Sequence, residues 1–328
     1  GSVRAVPRAR VAVVSTGAEL VDPGAAPPTG SIPDSNSVLL AGLVVEHGAA
    51  LASVSRSADT AASLAGVLTA AAAGADLVVT SGGVSAGAFD PLTMLAGDQA
   101  ALDEGREMLA EDRAAGAAIR LRFARVAMQP GKPQGHGTVR ADDGREVPLI
   151  ALPGNPVSVL VSFRTIVAPA LARLMGRDGG GAAGTGGITG GSGAETADAD
   201  SATGPVNGPA APTRPRSGSR PPVRARAAEA WKTAGERRQY IPVRFVPAPT
   251  GAAARPGRGT VGPTRWVAPT HRLGSGSHLV ASLPAAQALA VVEAGTPAVS
   301  VGDEVRLIAL SRPAGPDDGE LPPPLAEP

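Results

Sequence analysis

Apolar residues fall in short blocks along the first half of this chain, and two kinds of block alternate. Val11-Ala12-Val13-Val14 is unbroken and is closed by Ser15-Thr16-Gly17. A run so short, with no polar position, predicts a strand buried on both faces. Over residues 36–47 the apolar positions recur at helical spacing, with Ser35 or Ser37 as the expected N-cap and Gly48 as the stop. Residues 50–54 predict the next strand. Residues 61–73 predict an Ala/Leu helix capped by Asp59 or Thr60, and residues 77–80 another buried strand. This β-α-β-α-β order implies a parallel sheet covered on both faces. After Asp90 a charged Ala/Glu/Arg stretch to about residue 118 reads as helix. Residues 123–128 read as a strand, and residues 138–140 and 147–151 as a hairpin turning at Asp142-Asp143-Gly144. Residues 156–175 read as a last helix with proline in its first turn.

The pattern then changes. Residues 177–222 are Gly, Ala, Thr, Ser and Pro with little to bury, and predict a disordered linker. Short strand-like runs follow at 240–245, 261–267, 279–283, 288–292 and 305–309. The expected organisation is an α/β domain over 8–176, a three-layer α/β/α unit with a mainly parallel sheet. The linker over 177–222 comes next, then a small all-β, barrel-like domain over 223–311 and a frayed acidic tail over 312–328.

Composition narrows the chemistry. The 328 residues suffice for two domains, and 43% are hydrophobic but only 2% aromatic, so the cores must be aliphatic. With no cysteine there is no disulfide framework, thiolate metal site or cysteine nucleophile. His47, His136, His271 and His278 show no metal-ligand spacing. No apolar run reaches the ~18 residues of a membrane span and no secretory segment opens the chain, so a cytoplasmic protein is expected. The Gly-Ser start reads as an expression scar, and the chain as a fragment. Net charge is +1, and the Arg-rich stretches lack interleaved aromatics, which disfavours nucleic acid.

Three loops open where apolar runs end: Ser81-Gly82-Gly83-Val84-Ser85, Pro130-Gly131-Lys132-Pro133 and Leu152-Pro153-Gly154-Asn155-Pro156-Val157-Ser158. Glycine and proline there expose backbone N–H groups, fix loop shape and keep bulk low, as a pocket for a phosphorylated small molecule requires. Pro153 and Pro156 would shape one wall and leave the N–H groups of Gly154 and Asn155 open. Lys132 is one of only two lysines among 30 basic residues, and would meet a phosphate as a point charge or else stand solvated in a turn. Glu19, Asp59 and Asp90 follow three successive strands. Carboxylates converging at one sheet edge suit a hydrated Mg²⁺. The plain alternatives are a helix cap for Asp59 and a solvated side chain for Glu19. No nucleophile–base pair stands out, which disfavours covalent catalysis.

These motifs, in this order, resemble the C-terminal part of the molybdopterin molybdenumtransferase family, of the MoeA and gephyrin E-domain type. The matching stretches are Ser15-Thr16-Gly17-Ala18-Glu19-Leu20, Asp34-Ser35-Asn36, the Ser81 loop with Asp90, the Lys132 loop and the Leu152 loop. The resemblance implies a molybdopterin-binding α/β domain followed by a β-barrel-like domain. It implies insertion of molybdate into adenylylated molybdopterin, with Mg²⁺ and release of AMP, by a homodimer that has a molybdopterin adenylyltransferase as partner. On this resemblance Glu19, Asp59 and Asp90 are catalytic and metal-binding. Thr16, Asn36, Ser81, Gly82, Gly83, Ser85, Arg125, Lys132, Pro153, Gly154, Asn155, Pro156 and Ser158 bind substrate. Gln129 stands where many members carry Lys or Arg. The family's two further domains are expected to lie upstream of Val11, and their absence leaves a non-catalytic molybdopterin-binding module or scaffold as the alternative.

Overall fold

Ala12 and Val14 bury into one core and Val11 and Val13 into another, which is why the first apolar block has no polar position. The computed structural model describes residues 5–84, 91–96, 118–177, 223–233, 235–250, 265–271 and 280–310. Its first half contains β1 (Arg10–Thr16), β2 (Leu20–Val21), β3 (Ile32–Pro33), α1 (Ser35–Glu46), β4 (Ala50–Ser57), α2 (Ala61–Ala73) and β5 (Leu77–Ser81). There follow α3 (Pro91–Ala96), β6 (Ile119–Arg125), β7 (Met128–Gln129), β8 (Pro133–Arg140), β9 (Glu146–Leu152) and α4 (Pro156–Leu174).

The sheet is ordered β4-β1-β5-β9-β8-β6. Strands β4, β1, β5 and β9 are parallel, and β8 and β6 extend the sheet as antiparallel neighbours. Helices α2 and α3 cover one face with Leu64, Leu68, Leu92 and Leu95. Helices α1 and α4 cover the other with Leu40, Leu43, Phe163, Val167 and Leu171. This is a three-layer α/β/α domain. Helix α4 has the length and apolarity of a membrane span, but Phe163, Val167 and Leu171 are fully buried against the sheet.

The second half is all β: β10 (Arg224–Ala227), β11 (Trp231–Lys232), β12 (Arg238–Val246), β13 (Trp266–Pro269), β14 (Ala288–Val292), β15 (Ala298–Val299) and β16 (Glu304–Ala309). Strands β13, β10, β16, β14 and β12 form a ring, closed by pairing of β12 with β13. Closure removes the exposed edges that a small open sheet would present. Ile241, Val243, Val267, Ala290 and Leu307 fill it.

Several elements differ from the sequence expectation. The run at 123–128 is two strands: β6 ends at Arg125, and Met128–Gln129 leaves the first sheet to pair with β12. Residues 280–285 form a 3₁₀ helix rather than a strand, because Pro284 has no N–H to give to a ladder. The cap of α1 is Asp34, not Ser35 or Ser37, and its carboxylate accepts from Ser37 N–H at 3.0 Å. The cap of α2 is Thr60, so Asp59 is not the capping residue. The expected helix over 97–117, the linker over 178–222, the tail over 312–328, and both Ser85 and Asp90 lie outside the described residues.

Candidate functional site

Five strands end at one edge of the sheet, at Ser57, Thr16, Ser81, Leu152 and Arg125. The register fixes this: Ser15 pairs with Ser81, Ser81 with Leu152, and Thr16 with Ser57, while Arg125 pairs with Pro133 at the start of β8. After β1 the chain crosses through α1 on one face, and after β5 it reaches α3 on the other. Adjacent strands whose continuations diverge open a crevice beyond their carboxyl ends, where open α/β sheets bind ligands. The loops at Thr16 and Ser81 form the two sides of that crevice.

The crevice floor is backbone. Gly82 N–H donates to the Leu152 carbonyl at 3.2 Å. Gly82 has φ +90°, and a Cβ there would overlap the Thr16 carbonyl oxygen. A Cβ on Gly154 would lie 3.4 Å from Gly82 Cα, so the first and third glycine loops lie against each other. Asn36, in the first turn of α1, donates its Nδ2 to the Gly154 carbonyl at 2.6 Å. Beneath it, Ser15 Oγ donates to Asp34 Oδ2 at 2.5 Å, with both residues buried. Thus β1, α1 and the loop after β9 are tied by a short chain of hydrogen bonds. Sequence reasoning missed Asp34 as a holding group, because three cap-capable residues stand in a row at 34–36 and only contact with Ser15 distinguishes the first.

Around this floor, buried oxygens stand without partners: Thr16 Oγ1, Asn36 Oδ1 and Ser81 Oγ. Folded proteins satisfy nearly all such groups. Thr16 and Ser81 end neighbouring strands, and Asn36 reaches the Gly154 loop from α1.

The remaining residues sort by position. Gly83 is in the Ser81 loop with positive φ, Pro153 and Asn155 follow β9, and Pro156 occupies the first turn of α4. Asn155 makes no side-chain cap bond to α4. Ser158 is buried in the first turn of α4. Arg125 and Lys132 are exposed at the same edge, and their backbones are joined by the Arg125–Pro133 pairing. Glu19 turns its carboxylate back onto Gly17, directly after β1. Asp59 is exposed after β4, the strand beside β1. No group of three or more metal-ligating side chains is gathered among the described residues.

The fold and crevice define a ligand-binding α/β domain with a β-barrel domain attached. Residues 12–173 match the family described as a probable molybdopterin binding domain, and residues 224–310 match the MoeA C-terminal region, domain IV. Together these matches place the chain in the MoeA family. Molybdopterin molybdenumtransferase 2 of Mycobacterium tuberculosis strain H37Rv is 42% identical over 173 residues, covering 52% of this chain and 38% of that protein. The molybdopterin molybdenumtransferase of Nostoc sp. strain PCC 7120 is 35% identical over 175 residues, covering 53% of this chain and 35% of that protein. The matched stretch therefore spans well under half the length of these relatives. Among solved structures, the molybdopterin biosynthesis MoeA protein of Pyrococcus horikoshii shares the fold, with a TM-score of 0.55 and 22% identity, over 92% of this chain and 54% of that one.

Proposed function

We propose that this chain acts in molybdenum cofactor biosynthesis, binding adenylylated molybdopterin in the β1–β5 crevice and inserting molybdate with release of AMP. The observation that carries this reading is the set of unpartnered oxygens on Thr16, Asn36 and Ser81, standing on a floor of glycine backbone. Hydroxyl and amide groups of that kind bond the polar edges of a pterin and the oxygens of a phosphate. Backbone N–H groups of the loops at Gly83, Gly154 and Asn155 serve the anionic part. Lys132 and Arg125 supply positive charge at the rim, where the phosphates need it.

Glu19, Asp59 and Asp90 would hold Mg²⁺, which when bound neutralises charge on the bridging phosphate oxygens. The chain's own part is to hold the two substrates in contact at the strand edge. A homodimer, and delivery of the adenylylated substrate by an adenylyltransferase, complete the reading.

The test is AMP release from adenylylated molybdopterin by this chain with Mg²⁺ and molybdate. Release at a catalytic rate is expected. Binding without release would leave a non-catalytic molybdopterin-binding module, and neither binding nor release would overturn the reading. Asp90→Ala is expected to abolish metal-dependent release with little change in thermal midpoint. Unchanged turnover would remove Asp90 from the site.

A further inference from the structure

Strand β7 belongs to two domains at once. At its base, Arg125 pairs with Pro133, and Val126 N–H donates to the Lys132 carbonyl at 2.8 Å, so the segment starts and ends on the α/β sheet. At its tip, Met128 and Gln129 run parallel to Arg238 and Gln239 of β12. Arg238 N–H donates to the Ala127 carbonyl at 3.1 Å. Met128 is buried with Tyr240, Leu289 and Val291 of the barrel and Val161 of α4. A side-chain bond crosses between the domains here, from Arg237 Nη2 to Gln129 Oε1 at 2.9 Å. On the other flank, Gln134 Nε2 donates to the Gly131 carbonyl and to Ser162 Oγ, both at 2.7 Å. Lys132 stands between these anchors with its side chain exposed.

We propose that Arg237 is a positioning residue for the Lys132 ammonium: through Gln129, the barrel sets the course of the backbone from 129 to 132 and so fixes where the pocket lysine presents its charge. This rests on the reading of Lys132 as a contact for a ligand phosphate. Lysine is a point charge on a flexible stem, so the backbone beneath it is what aims it. A loop held in place before binding loses less entropy when the ligand arrives. The barrel is then part of the pocket's rim mechanics, although Arg237 itself touches no ligand.

The experiment is equilibrium binding of molybdopterin to the full chain in a double-substitution cycle. Lys132→Ala is expected to weaken binding about thirtyfold, the loss of a charge-assisted bond. Arg237→Ala is expected to weaken it about fivefold, within the range of coupled neighbours. The double variant should bind within about twofold of Lys132→Ala alone, because an unaimed lysine that is already missing costs nothing more. Arg237→Lys keeps a donor for Gln129 and should return binding to within about twofold of the unaltered chain. Additive losses, or unaltered binding by Arg237→Ala, would overturn the proposal while leaving Lys132 in the site. Unaltered binding by Lys132→Ala would overturn the reading of Lys132, and the proposal with it. Thermal midpoints verify folding. If Arg237→Ala does not fold, Gln129→Leu breaks the same bond from its other end and takes its place in the cycle.

Discussion

At Gly82 the backbone occupies a region that residues with a Cβ rarely adopt, and the space a Cβ would need is filled by the Thr16 carbonyl. Gly82→Ala is therefore expected to lower stability by about 2 kcal/mol or more. A urea midpoint equal to that of the unaltered chain would contradict this. Asp34 is buried, caps α1 and accepts from Ser15. Asp34→Ala removes the cap and leaves Ser15 Oγ without its partner, for an expected loss of about 2–3 kcal/mol. Asp76 lies far from the crevice at the start of β5, paired with Arg10 at 2.9 Å. The hydrogen bond from Arg10 holds its carboxyl below the ordinary carboxylate range, against a weaker upward pull from burial. A depressed value in the folded state means stability that is present above about pH 4 and fades as pH falls through the lower, folded value. The pair is partly exposed and screened, so the effect is small. Stability curves of Asp76→Asn and the unaltered chain should converge as pH drops from 5 to about 2. A gap that stays constant with pH would refute the linkage.

Elements buried on both faces were legible because nothing polar interrupts them, as in Val11-Ala12-Val13-Val14 and Leu77-Val78-Val79. The loops that follow β5 and β9 were legible for a related reason: glycine and proline punctuate strand ends. What stayed hidden depends on contact. Ser15 and Asp34 are 19 residues apart, and Gln134 and Ser162 are 28 apart, so no local pattern joins them. Met128–Gln129 is too short for any periodicity, and its membership in the barrel is set by β12. The 279–283 run is apolar like the strands around it, yet residues 280–285 form a 3₁₀ helix with Pro284 inside it. Glycine in β8 also has an element-scale meaning. A Cβ on Gly137 would overlap the Arg120 carbonyl of β6, across the antiparallel pair. Gly137→Ala is expected to loosen β6 from β8 and so disturb Arg125 at the rim. Hydrogen exchange at residues 119–125 should rise about tenfold or more, as local opening becomes cheaper. Unchanged exchange there would show that the sheet absorbs the methyl group.

Across the whole molecule, the two domains share more than a covalent link. Met128 is buried between them, and Arg164 pairs with Glu46 at 2.9 Å while its guanidinium also donates to the Leu310 carbonyl at the end of the barrel. The pocket rim and the barrel edge meet in the segment that carries Lys132. The central claim is that one ligand site lies beyond the β1, β5 and β9 strand ends and is completed at Lys132. Amide hydrogen exchange of the full chain, with and without saturating molybdopterin, tests it most directly. Slowed exchange is predicted at residues 16–19, 81–84, 131–132 and 153–155, with α2 and β14 unchanged. Slowing confined to the barrel, or spread evenly over the chain, would contradict the claim.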